Sequence, residues 1–166
     1  MHLHPIGMLS GWIEEGVKVE SPVHFDEVAR RMGEAAGITR IGSRIRECLK
    51  EASEFAERNG RIRIQHPFLW FCEMQTPVMR DRRDLPPAAK RIKYIAPEEV
   101  DLAIEKVVRD SIAIQPDAAA AFVARIFGFA RMTEEMKADL LELIQDSIDR
   151  RIVMQEGGVL RKIEAI

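Results

Sequence analysis

Sliding this sequence against itself by 91 positions sets PVHFDEVARRMGEAAGITRIGSRIRECL, residues 22–49, over AIQPDAAAAFVARIFGFARMTEEMKADL, residues 113–140. Asp26 falls on Asp117, Gly37 on Gly128, Arg40 on Arg131 and Leu49 on Leu140. A chain that carries one supersecondary unit twice must adopt a fold that suits both versions of its sequence, a harder condition than either copy imposes alone. The spacing predicts two units of roughly 70 residues joined by a connector. Modules of that size bury a low fraction of their surface, so each is expected to pack on its twin or on a partner.

The first copy predicts a helix from Ile6 to Val17, because Ile6, Leu9, Ile13 and Val17 recur at helical spacing despite Gly7, Gly11 and Gly16. An extended segment, Ser21 to His24, leads into a second helix with Phe25, Val28, Ala29 and Met32 inward, stopping near Gly37. Ile41, Ile45, Cys48, Leu49, Ala52, Phe55 and Ala56 mark a third helix that Asn59-Gly60 ends. Arg61 to Gln65 alternates polar and apolar as a half-buried strand does, His66-Pro67 turns, and Phe68 to Phe71 returns as a buried strand. The second copy predicts the same order: Pro97–Ser111, Ile112–Gln115, Pro116–Phe127, Thr133–Arg150, and a hairpin of Ile152–Gln155 with Val159–Ile163. Pro116 suits a first helical turn, and Thr133 followed by Glu134 and Glu135 reads as an N-cap with acids facing the helix dipole. The expected fold is therefore mainly α with small β-hairpins, two tandem winged helix-turn-helix-like modules at residues 6–71 and 97–166. Between them, residues 72–96 hold Pro77, Pro86 and Pro87 and read as an extended, basic connector pinned by Val78, Leu85, Ile92 and Tyr94.

Composition and charge narrow the function classes. With 46% hydrophobic and 31% charged residues the chain has a globular composition, and no apolar run reaches membrane-spanning length. No secretory signal is read at the start, and Cys48 and Cys72 are too few for a disulfide framework, so a reduced cytoplasmic setting is expected. The net charge of −2 conceals an asymmetry: residues 72–96 hold 6 basic and 3 acidic side chains, and residues 97–166 hold 9 and 14. A polyanion would meet the first copy and the connector and be repelled by the second copy.

The third helix of a winged helix-turn-helix approaches bases and phosphates, with the hairpin beside it. In the first copy that surface is basic: Arg40 precedes the helix, Ser43, Arg44, Arg46 and Lys50 lie along its start, and Arg61 and Arg63 take outward hairpin positions. These seven are the predicted nucleic-acid contacts. The plainer reading stays open, since Glu47, Glu51, Glu54 and Glu57 share the helix and Lys50 to Glu54 is an ordinary surface-pair spacing. At Ser43, Arg44 and Arg46 the second copy has Glu134, Glu135 and Lys137, which predicts a structural or protein-binding role for it. His2 and His4 lack the further Cys or His of a metal site, and His24 and His66 read as capping or surface groups. Trp12 and Trp70 read as core residues rather than stacking platforms. No Walker-type loop, nucleophile elbow, HExxH or nuclease carboxylate–lysine grouping is present, so no catalysis, cofactor, metal or small-molecule substrate is expected.

GITRIGSRIREC, PFLW, and PVMRDRRDLPP followed by IAPEEVDLAI, in that order, resemble a domain of unknown function at the C-terminal end of large bacterial proteins related to superfamily I DNA helicases. The resemblance spans about Trp12 to the end, and the opening MHLHPIGMLSGW does not fit it well. In that family the domain follows a helicase core and a restriction-endonuclease-like segment. The resemblance thus implies a non-catalytic accessory domain that holds or orients DNA, with other domains of a helicase-related protein as partners. The alternative is a protein-interaction scaffold that docks on such domains while its arginines are simply solvated.

Overall fold

Leu9, Ile13 and Val17 recur every four residues, and all three are fully buried on one side of α1 (Ile6–Glu20), which runs a turn beyond the predicted Val17 in spite of its three glycines. The structure, a computed structural model, describes residues 4–163, and the chain divides into two units between Pro77 and Val78. In unit 1, β1 (Val23–His24) leads directly into α2 (Phe25–Ala35), and His24 Nδ1 accepts a hydrogen bond from Asp26 N at 3.0 Å, which caps the helix. α2 closes where Ile38 N donates to Gly33 O and Gly37 takes φ +69°, the left-handed turn that favours glycine. α3 (Ser43–Arg58) begins two residues after the predicted Ile41, which packs its side chain against Gly33 from the preceding loop instead. Then β2 (Ile62–Gln65) and β3 (Phe68–Phe71) form a hairpin, and β3 is the middle strand of an antiparallel β1-β3-β2 sheet. Leu9, Ile13, Val17, Val28, Leu49, Ala56, Ile62 and Leu69 make the core.

Unit 2 repeats this. α4 (Pro97–Ser111), α5 (Pro116–Ile126), α6 (Glu134–Asp149), β4 (Val153–Glu156) and β5 (Val159–Lys162) each begin and end 91 residues after α1, α2, α3, β2 and β3. The Val23–Leu69 strand pair recurs as a bridge between Ile114 and Leu160. Gly37 and Gly128 both have positive φ, and so do Gly60 and its counterpart Arg151, because both third helices end in the same left-handed turn. Thr133 Oγ1 accepts from Met136 N, the predicted cap. Only Ile114 of the predicted extended Ile112–Gln115 is paired: Ile112 has φ 63° and ψ −50°, and Ala113 N bonds Ser111 O at 2.6 Å, a γ-turn. Among the described residues the architecture is mainly α, six helices with small antiparallel sheets, and no helix is long and apolar enough to cross a membrane.

The proline-rich segment is more than a tether. From Val78 onward it belongs to unit 2, where Ile92 and Ile95 enter the core and Ile92–Tyr94 forms a 3₁₀ turn. Arg82, 5% exposed, grips the fully buried Glu99 of α4 with two hydrogen bonds of 2.7 Å. A buried charge is tolerated only when paired and hydrogen-bonded, so this fork pins the segment in place. Trp70 is buried as expected. Trp12 corrects the sequence reading: it is 49% exposed, because Leu9, Ile13 and Val17 already occupy the inward face of α1.

Candidate nucleic-acid interface

α3 opens without a side-chain cap, since its N-cap is Gly42, and Ser43 is its first, exposed residue. Free N–H groups at that end carry partial positive charge, which favours anions there. Arg40 in the preceding loop, Arg44 in the first turn and Lys50 one and a half turns on are all exposed. None of these three has an ion pair or side-chain hydrogen bond among the described residues.

The other three predicted cations are engaged. Arg46 Nη1 lies 2.6 Å from Asp26 Oδ1 at the start of α2, with its guanidinium 5.7 Å from the Phe25 ring centre. Arg61 Nη1 is 3.6 Å from Glu14 Oε2 on α1. Arg63 is half-buried: its Nη2 donates to Met74 O at 2.7 Å, and it stacks 5.3 Å from the centre of Trp70, its partner across the β2–β3 ladder. Arg63 Nε and Trp70 Nε1 are buried without an acceptor among the described residues. The structure therefore leaves Arg40, Ser43, Arg44 and Lys50 accessible, the first three around the start of α3 and Lys50 further along the helix, holds Arg46 and Arg61 in partly exposed pairs, and builds Arg63 into its own unit.

Acids interrupt the surface. Glu47 and Glu54 share with Arg46 and Lys50 one wall of a cavity of about 390 Å³ between α3, the start of α2 and the hairpin turn, whose far side is His24, His66 and Pro67. Sequence reasoning missed Asp26 as the partner of Arg46, although the repeat carried the signal. An acid and a base stand at the matching positions of both copies, and Lys137 pairs with Asp117 as Arg46 pairs with Asp26. The Asp117 hydrogen bond holds the Lys137 ammonium above the usual lysine value. Glu14 and Met74 O, far from Arg61 and Arg63 along the chain, carried no such signal.

On unit 2 the corresponding surface is of opposite sign: Glu134, Glu135 and Leu141 replace Ser43, Arg44 and Lys50, while Arg131 retains the charge of Arg40. Among the described residues no group of His, Cys, Asp or Glu is placed to hold a metal ion. His4 meets Trp12 edge-on at 5.4 Å, and His2 lies outside the described residues. Both thiols are half-buried and free.

A family model described as a protein of unknown function (DUF3320) matches residues 1–47, that is α1, β1, α2 and the first turn of α3. That match includes the opening MHLHPIGMLSGW, which lies outside the resemblance to helicase-related proteins read from the sequence. No curated protein and no solved structure matches the chain.

Proposed function

We propose that unit 1 is a winged helix-turn-helix module that holds DNA as a non-catalytic accessory domain of a helicase-related protein. The order helix, strand, helix, helix, hairpin, with β3 between β1 and β2, supports that architecture. The observation that carries the reading is that, among the described residues, Arg40 and Arg44 at the uncapped start of α3 and Lys50 further along it have no ion pair, on a surface that unit 2 makes acidic. In this reading they neutralise phosphates, Ser43 bonds the backbone, Arg61 adds a contact from the hairpin, and Arg46 joins by exchanging Asp26 for a phosphate. The test is fluorescence anisotropy of the chain with labelled duplex and single-stranded DNA over a salt series. Changing Arg40, Arg44 and Lys50 together to Glu is expected to abolish tight binding, and changing them to Ala to lower the salt slope by about 3. Unaltered affinity and slope in both variants would overturn the reading.

A second role is favoured by a different observation. Met8, Trp12 and Val19 of α1 are 46%, 49% and 80% exposed, an apolar face suited to protein docking.

A further inference from the structure

The two units share their elements but treat one face differently. In unit 2, residues 79–83 run over the groove between α4 and the end of α5. Arg82 N donates to Phe127 O at 3.1 Å, its guanidinium lies 5.4 Å from the Phe127 ring centre, and its fork holds Glu99. The backbone passes so close that a Cβ on Gly128 would fall 2.5 Å from Arg83 N. In that groove Ala103, Val123 and Phe127 are 0% exposed.

Subtracting 91 gives Trp12, Met32 and Ala36 for those three buried residues, and Met8 for Glu99. In unit 1, among the described residues, this place is open: a cavity of about 570 Å³ between α1 and α2, walled by His4, Trp12, Gly16, Val28, Met32 and Ala36, with the Glu20–Arg31 ion pair at its rim. Gly16 stands where unit 2 has Val107, and a Cβ there would meet nothing within 4 Å. A glycine inside a helix costs about 1 kcal/mol against alanine, and here no neighbour among the described residues needs the space.

We propose that this groove is a docking site for an extended segment of another polypeptide, lying across α1 and α2 as residues 79–83 lie across α4 and α5. The occupant presents an apolar side chain where Arg82 sits, because Met8 offers no carboxylate to an arginine and an unpaired buried guanidinium is unfavourable. None of the α3 cations takes part, so the docking site stands or falls apart from the DNA reading.

The test uses the full chain and two synthetic peptides of residues 78–90, one unaltered and one carrying Arg82→Met. Trp12 is the reporter, because Trp70 is buried, and Trp12→Phe supplies the background. The Arg82→Met peptide is expected to shift Trp12 emission to the blue and to bind about tenfold more tightly than the unaltered one. Met8→Glu should reverse that order, and Ala36→Arg, at an exposed site on the groove, should abolish both responses while leaving the circular dichroism spectrum intact. Peptide binding without a Trp12 response would mean exchange with the chain's own strap, and would overturn the proposal. So would a silent Trp12 with both peptides, or an emission shift that follows chain concentration alone and tracks dimer formation in sedimentation, which would make a second copy the occupant.

Discussion

Gly37 and Gly128 show how one residue type serves two purposes. Both sit just past a helix with positive φ, a conformation that costs an L-residue about 1–2 kcal/mol. A Cβ added at Gly37 would meet open space, whereas one added at Gly128 would strike the backbone of Arg83. Gly37→Ala is therefore expected to lose about 1 kcal/mol, and Gly128→Ala roughly 1–3 kcal/mol more as the strap is pushed off its seat. Thermal unfolding followed by circular dichroism checks the pair, and equal losses would mean that the strap does not press on Gly128. The glycines were legible in the sequence as helix stops. The strap over one of them was not, because residues 81 and 128 come together only through the fold.

At the scale of elements, α2 is tied to itself and to α1 by Glu27, which is 5% exposed and accepts from Arg30 and Arg31, while Arg31 also reaches Glu20 on α1. Burial alone would raise the Glu27 carboxyl, but the two arginine hydrogen bonds outweigh it and hold the group below the usual glutamate range. A carboxyl whose value is lowered on folding stabilises the fold above its unfolded value, and that contribution fades as pH falls through the folded one. Glu27→Gln is expected to cost about 1–3 kcal/mol at neutral pH, and the gap to the parent chain should close as the pH drops below about 4. Urea midpoints measured at several pH values test this, and a gap that persists in acid would assign the loss to packing. Helical periodicity made α1, α2 and α3 readable, yet it placed Ile41 inside α3. An apolar side chain that packs on Gly33 from a loop looks the same, in sequence, as one on a helical stripe.

For the molecule as a whole, the candidate surface depends on which cations are free. The partly exposed Asp26–Arg46 pair contributes little to stability, as surface pairs generally do, but it withholds Arg46 from a polyanion. Asp26→Asn is expected to leave the unfolding midpoint nearly unchanged and to raise DNA affinity severalfold with a steeper salt dependence, measured by the same anisotropy series. Lower affinity would place Asp26 among the binding groups instead. The duplication, the helix order, both hairpins and the acidic second copy were decided by sequence alone, because stripes of buried residues and turn-forming glycines are local patterns that repeat 91 residues apart. Only the tertiary structure decided that Arg61 and Arg63 are held by Glu14 and Met74, and that residues 78–96 clasp unit 2 through Arg82 and Glu99. It also left Trp12 half-exposed beside an open groove. These outcomes rest on contacts between residues distant in the chain, where charge pairing and burial compete among partners that no local period can identify.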